Sequence, residues 1–367
     1  MLGKEHTYVG ECLASGYVSS VGSFTKRFED QLAGMTGSRH AVGCSSGTAA
    51  LHVSLRLAGA EPGRLVAVSD FTFIASANAV SYTGADLLLV DSEPQTWNMN
   101  SELLFDHVVE NARLGRRIPD IVEVVHVLGH PAFMEPLIEL RDRFGIKLVE
   151  DAAEALGAKW TSKAGDRIDV GSTGTAGCFS FNGNKIVTSG SGGMIVTDDE
   201  FFAERARHLI NQAKSPSGGY EHDTIGYNYR LTNLHAALGL AQLERLDAIV
   251  RSKWEIARHY EKMLGGLAMS MAPRANWAAP TYWLYSVLLP AGCKELDEVV
   301  RGMASSGVET RRLWPPLHTQ PPYARTPRLG GDVSEEIYAH GISLPSSVDL
   351  TEDHQGVVVA ALERVIV

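Results

Sequence analysis

Short runs of apolar, β-branched and aromatic residues recur through the first half of the chain, separated by longer stretches with helical spacing. Leu65-Val66-Ala67-Val68, Leu87-Leu88-Leu89-Val90, Ile121-Val122-Glu123-Val124-Val125, Ile146-Lys147-Leu148-Val149, Cys178-Phe179-Ser180-Phe181 and Met194-Ile195-Val196-Thr197 read as buried strands, being short and mostly β-branched or aromatic. Gly47–Ala58 and residues 134–144 read as helices between them. This alternation, from about residue 39 to 199, predicts an α/β fold: a mainly parallel sheet with helices on both faces. Two long helical patterns follow, 232–250, opened by a capping Thr232, and 253–264. After Gly265-Gly266 the pattern becomes a smaller α+β segment containing Trp283-Leu284-Tyr285-Ser286-Val287-Leu288-Leu289. The expected organisation is a large α/β domain over 1–250 and a small C-terminal α+β domain over 251–367.

Composition narrows the function classes. At 367 residues the chain exceeds one ordinary core, and 44% apolar with 21% charged residues suits a globular enzyme. No segment approaches the roughly 20 uninterrupted apolar residues of a membrane span, and Met1-Leu2-Gly3-Lys4-Glu5-His6 lacks the apolar core of a signal peptide, so a cytoplasmic protein is expected. A net charge of −10 argues against nucleic acid as a partner but not against a small phosphorylated ligand. Cys12, Cys44, Cys178 and Cys293 are scattered, without the pairing of a disulfide framework or zinc knuckle.

In open α/β sheets ligands collect at the C-terminal ends of strands, where the informative residues fall. Asp151 follows the strand ending at Val149-Glu150. A carboxylate there can hold a positively charged ring nitrogen; it can equally cap a helix over Ala152-Ala153-Glu154-Ala155-Leu156. Asn182-Gly183-Asn184-Lys185 places one lysine on a glycine turn between two apolar strands. Most lysines are solvated surface charges, but desolvation and positive neighbours turn a lysine into a nucleophile for a carbonyl. Ser45-Ser46-Gly47-Thr48 runs into a helix whose first N–H groups can cradle a phosphate, or serves as an ordinary cap. Ser180 is a further phosphate donor, and Phe73 either lies on a flat cofactor or packs in the core.

Other readings fall away. Gly171-Ser172-Thr173-Gly174-Thr175-Ala176-Gly177 lacks the Gly-Lys-Ser/Thr of a P-loop. His126 and His130 are four apart but flank a Gly and precede Pro131, so no helix holds them on one face for a metal. Ser45 and Ser46 lack the Gly-x-Ser-x-Gly elbow of a hydrolase.

Taken in order, Ser46-Gly47-Thr48-Ala49-Ala50-Leu51, Glu150-Asp151-Ala152-Ala153-Glu154-Ala155, Ser180-Phe181-Asn182-Gly183-Asn184-Lys185 and Gly226-Tyr227-Asn228-Tyr229-Arg230-Leu231 resemble the DegT/DnrJ/EryC1/StrS family of sugar aminotransferases, fold-type I enzymes of pyridoxal phosphate. The likeness runs over residues 10–362. It implies that Lys185 is the Schiff-base lysine, that Asp151 pairs with the ring nitrogen, and that Phe73 stacks on the ring. Gly47, Thr48 and Ser180 would hold the phosphate, and Asn228 would reach the phosphate of the neighbouring subunit of a homodimer with shared sites. Val127-Leu128-Gly129-His130-Pro131, Leu313-Trp314-Pro315-Pro316-Leu317-His318 and Gly341-Ile342-Ser343-Leu344-Pro345 resemble a narrower branch. That branch aminates C4 of UDP-2-acetamido-2,6-dideoxy-4-keto-glucose from L-glutamate, releasing 2-oxoglutarate, on the bacillosamine and legionaminic acid routes. Glu154, expected at the cofactor, fits this branch. Tyr227, Arg230 and His318 are the expected sugar-nucleotide contacts, His318 reading otherwise as a loop histidine among prolines.

The family usually carries about a dozen more residues before the stretch matching Gly10, including a short strand. Either the start lies upstream or this member lacks that strand. Open alternatives are a GDP- or dTDP-linked sugar, amination at C3, and a regulatory member with a degenerate site. The dehydratases of this fold carry histidine in place of the lysine, against which Lys185 argues.

Overall fold

The computed structural model describes residues 1–215, 219–290 and 292–366. Its centre is an eight-stranded sheet in the order His40–Cys44, Gly193–Thr197, Ala176–Ser180, Lys147–Asp151, Ile121–Val125, Leu65–Ser69, Asp86–Val90 and Arg328–Leu329. Gly193–Thr197 runs antiparallel to both its neighbours, and the other pairings are parallel. Every strand expected from the apolar runs in this half is present, shifted at most two residues at an end. Three strands of this half are additions: Lys159–Thr161 and Arg167–Asp169 pair with each other in a small separate sheet, and His40–Cys44, with too little apolar bulk to stand out by pattern, takes its place by pairing with Gly193–Thr197.

The two-residue period of the strands divides the core. Val66, Val68, Val149 and Cys178 join one apolar cluster, while Ala67, Val122, Val124 and Leu148 join the cluster on the opposite face. Helices close both faces, as the alternation predicted. Gly47–Ala58 has the expected bounds; Ser46 caps it by accepting the Ala49 N–H at 3.1 Å.

Two expectations need correction. The segment Ala152-Ala153-Glu154-Ala155-Leu156 is a succession of turns, not a helix, so Asp151 caps nothing although it accepts the Ala153 N–H at 3.1 Å. The pattern over 232–250 is two helices, Asn233–Leu243 and Leu246–Leu264, the second absorbing the one expected at 253–264. Helical periodicity does not register so short a break. Leu246–Leu264 carries the chain from core to core. Its Leu246 and Ile249 pack with the large sheet, while Ile256, Ala257, Tyr260 and Leu264 pack with Tyr285, Val287, Val299 and Leu362. There a three-stranded antiparallel sheet, Tyr285–Leu288, Gly341–Leu344 and Arg311–Arg312, lies with helices Leu296–Ser305 and Glu352–Ile366. Between Arg312 and Gly341 the chain returns to the large sheet through Arg328–Leu329, carrying His318 to Asp70.

Candidate active site

The strand ends bring four of the expected features together. Lys147–Asp151 and Ala176–Ser180 lie side by side with Asp151 opposite Cys178, so Asp151 and Ser180 end neighbouring strands at the same edge. The turn after Ser180, closed by the Lys185 N–H to the Asn182 carbonyl at 3.0 Å, sets Lys185 over that edge. The helix Gly47–Ala58 points its N-terminus at the same place. A Cβ built on Gly47 would come within 2.7 Å of the Ser180 Cβ. Only glycine lets the helix start come this near the Ser180 hydroxyl.

Lys185 is mostly buried. Its Nζ lies 3.6 Å from Glu154 Oε1 and 3.8 Å from the centre of the Trp283 ring. Trp283 is fixed twice: its indole N–H donates to the Asn184 carbonyl at 2.6 Å, and its own carbonyl accepts from the buried Lys253 ammonium at 2.8 Å. Burial lowers the Lys253 pKa to about 8. Glu154 is buried and accepts the Leu128 N–H on Oε2 at 2.8 Å. Burial, opposed by Lys185 and by that N–H, pushes its carboxyl up to about 7.

Asp151 is buried and accepts from the Ser76 hydroxyl at 2.8 Å. Burial raises its pKa, and the hydrogen bonds from Ser76 and Ala153 and the Lys185 charge act against the rise. Such a carboxylate gains most from a cationic partner that restores the interactions lost with water. Phe73 is half exposed and edge-on to Trp314 at 6.3 Å, whereas Phe71 is fully buried against the same indole at 5.8 Å. The core-packing reading therefore describes Phe71 and not Phe73. Trp283 stacks on Trp314 at 6.2 Å, so one aromatic wall extends from Lys185 to Phe73.

The remaining expected residues stand apart. Tyr227 stacks on Tyr229 and tilts against His52; Asn228 is exposed and its backbone bridges to Asn211. Arg230 donates to Asn211 Oδ1 and to the Ser20 carbonyl. No hydrogen bond or ring contact among the described residues joins these three to Lys185 or Asp151. His318 is held on both ring nitrogens: Nδ1 meets Asp70 Oδ2 at 2.6 Å, and Nε2 meets Glu335 Oε1 at 3.0 Å and Arg328 Nη1 at 2.7 Å. It is the centre of a charged network and not simply a loop histidine among prolines.

His126 and His130 have their ring nitrogens engaged within the chain. His126 Nδ1 accepts the Ala132 N–H at 3.0 Å, which leaves Nε2–H to donate to Glu150 at 3.0 Å. His130 Nε2 accepts the Ala275 N–H at 3.1 Å and Nδ1 donates to the Pro131 carbonyl at 2.8 Å; burial lowers its pKa to about 4. The sequence reading passed over Ser76, Leu128, Trp283 and Trp314. Of these, Leu128, Trp283 and Trp314 lie in stretches singled out for other reasons, and Ser76 lies in none; nothing local marks Ser76 or the Leu128 N–H as site groups.

The sequence profile of the DegT/DnrJ/EryC1/StrS aminotransferase family matches residues 2–363. The chain belongs to that family. It is an aminotransferase, and its cofactor is pyridoxal phosphate. GDP-perosamine synthase of Caulobacter vibrioides is 38% identical over 100% of this chain and 96% of that protein. A crystal structure of a DegT DnrJ EryC1 StrS aminotransferase from Brucella abortus matches with a TM-score of 0.90 at 27% identity, over 99% of this chain and 95% of that one. DesV of S. venezuelae, in complex with a ketimine intermediate, matches at 0.88 and 31%, over 98% and 94%.

The aminotransferase's own residues fit the cofactor. The helix N-terminus at Gly47, brought close to the Ser180 hydroxyl, offers donors that suit a phosphate, and the desolvated Asp151 carboxylate suits a ring cation. Among the described residues no helix is long and apolar enough to cross a membrane.

Proposed function

We propose that this aminotransferase moves an amino group from L-glutamate to C4 of a nucleotide-linked 4-keto-6-deoxy sugar, with UDP-2-acetamido-2,6-dideoxy-4-keto-hexose as its substrate. The observation that carries this reading is the setting of Lys185, close to Glu154 and to the Trp283 ring and acting by its charge on the buried Asp151. Pyridoxal phosphate, when bound, supplies a carbonyl to take the amino group and a ring to delocalise the electron pair freed at the reacting carbon. Gly47, Thr48 and Ser180 would hold its phosphate, Asp151 its ring nitrogen and Phe73 its face. Lys185 Nζ carries the proton to and from the reacting carbon as general acid and base. Trp283 and Trp314 keep water from that side.

Asn228 is exposed, which supports a role across a homodimer where it meets the partner's phosphate site. Tyr227, Arg230 and His318 remain the residues proposed to meet the sugar nucleotide, Arg230 and His318 after release of the contacts that now hold them. A GDP-linked substrate is a second reading, favoured by the likeness to GDP-perosamine synthase.

The test is an absorbance spectrum of the cofactor-loaded protein before and after L-glutamate. A band near ~420 nm should give way to one near ~330 nm, and UDP- and GDP-linked 4-keto sugars are then ranked by how fast each reverses the change. Reversal by the GDP sugar alone would replace the first reading with the second; no change with glutamate would remove both.

A further inference from the structure

Each oxygen of the Glu154 carboxylate has its own neighbour, Oε2 a backbone N–H and Oε1 the Lys185 Nζ. The turn Val127–Gly129 presents its N–H to Glu154 Oε2, and to do so Leu128 adopts φ 54° and ψ 19°, a left-handed conformation rare outside glycine. Such a conformation costs on the order of 1–3 kcal/mol and persists where its surroundings enforce it. Gly129 follows at φ 88°, where a Cβ would lie 3.2 Å from the Glu154 carbonyl oxygen. With Oε2 fixed by this strained turn, Oε1 is the oxygen turned toward Lys185 Nζ at 3.6 Å. The same nitrogen lies over the π face of Trp283, itself pinned by Asn184 and Lys253. A nearby carboxylate and an indole face both favour a positive charge on the nitrogen they approach.

Asp151 does not have this relation to the lysine. Its two oxygens already accept from Ser76 and Ala153, and it acts on Lys185 only through its charge. The charged groups acting on Glu154 are Lys185 and Asp151, and the turn Val127–Gly129 meets its carboxylate through the Leu128 N–H.

Resting on the reading of Lys185 as the reacting lysine, we propose that Glu154 is the proton partner of Lys185, a positioning residue that holds the free Nζ as an ammonium ion and receives its proton when the neutral amine is needed. The proton passes from Nζ to Oε1, leaving a neutral amine and a neutral acid, and its return restores the ion pair. No other atom is exchanged. A carboxyl raised to about 7 by burial takes and returns a proton near neutral pH.

The test compares wild type with Glu154→Gln, which keeps an oxygen for the Leu128 N–H, and with Glu154→Asp, which keeps the charge. Each full-length chain, free of cofactor and checked for folding by its melting curve, is treated with acetic anhydride at a series of pH values. Acetylation of Lys185 is read by peptide mass spectrometry. An ammonium ion does not react, so losing the carboxylate should speed Lys185 acetylation by about tenfold at pH 7, with the ratio falling toward one in strong alkali. Glu154→Asp should stay within about threefold of wild type. In the loaded enzyme, the glutamate-driven absorbance change should depend on pH around 7 in wild type and lose that dependence in Glu154→Gln.

Equal acetylation of wild type and Glu154→Gln at every pH would overturn the proposal. Should Glu154→Gln fail to fold, Glu154→Met is read in the same way. A separate arm protects the underlying reading: borohydride reduction of the loaded wild type should leave the cofactor's mass on the Lys185 peptide. If it does not, the reading of Lys185 fails; if it does and acetylation is unchanged, only the role of Glu154 fails.

Discussion

Glu150 and Asp151 are neighbours on one strand, both buried, and they face opposite sides of the sheet with opposite fates. Glu150 is saturated: His126 donates to Oε2 at 3.0 Å, Gly171 N–H to the same oxygen at 2.8 Å, and the Thr173 and Gly174 N–H groups to Oε1 at 2.7 Å each. Burial acts to raise its pKa, but His126 and these N–H groups outweigh it and hold the carboxyl below its ordinary range. Asp151 has two donors, and burial wins. A saturated buried carboxylate is structural, since it has no unmet demand. An undersupplied one at a strand end is waiting for a charge, which is the property a cofactor site needs.

The sharpest way to break this comparison is at the lysine. Lys185→Ala should lower amino transfer by about 10⁴-fold or more while the melting temperature stays close to wild type. Turnover at even a few per cent of the wild-type rate would mean that the Asp151 side of the strand is not the reacting side. Asp151→Asn keeps the shape and the Ser76 contact but removes the charge. Its rate should fall about 10²- to 10³-fold, as for the loss of one preorganised electrostatic partner, with weaker retention of pyridoxal phosphate on dialysis. An unchanged rate would reduce Asp151 to a buried acid of the Glu150 kind.

Glu150→Ala attacks the structural side. Removing one partner of a buried pair costs about 3–5 kcal/mol, and here the N–H groups of Gly171, Thr173 and Gly174 also lose their acceptor. The folded pKa is depressed, so this stability is present above the unfolded value and is lost as pH falls through the folded one. Urea melts of wild type and variant should therefore differ most at neutral pH and converge in acid. A constant difference would show that packing, and not the charge, is what Glu150 contributes.

How much of this was legible beforehand follows the same division. The strands were readable because buried parallel strands are apolar runs, and Lys185, Asp151, Gly47 and Ser180 because reacting residues gather at strand ends. Glu150 could not be understood from sequence: its donors lie 21 to 24 residues onward and its imidazole 24 residues back. The glycines rejected as a P-loop turn out to serve it. The helix wrongly expected after Asp151 shows the limit of composition. Ala152-Ala153-Glu154-Ala155-Leu156 has helical propensity throughout, and tertiary contacts override it by drawing Glu154 to the Leu128 N–H. Trp283 was seen as strand and not as site because its role depends on a lysine 98 residues away, a separation no periodicity records.

The smallest expected effect sharpens the comparison with a third acid. Glu123 lies between Val68 and Val149 in register, fully buried, and neither carboxyl oxygen meets a hydrogen-bond donor among the described residues. Burial first, and then the Asp151 charge, push its pKa well up, favouring the neutral acid, whereas the surroundings of Glu150 favour the carboxylate. Because the folded pKa is raised, its contribution to stability is fully present below the unfolded value and is lost as pH rises through the folded one. Glu123→Met, of similar length and without polar oxygens, should gain about 1–2 kcal/mol at pH 7, and the gain should shrink toward pH 4. Paired urea melts at the two pH values measure the difference directly. A gain that did not shrink in acid would mean that Glu123 is disfavoured by its shape and not by its proton. A loss at pH 7 would mean that the acid has a partner in solution and belongs with Glu150.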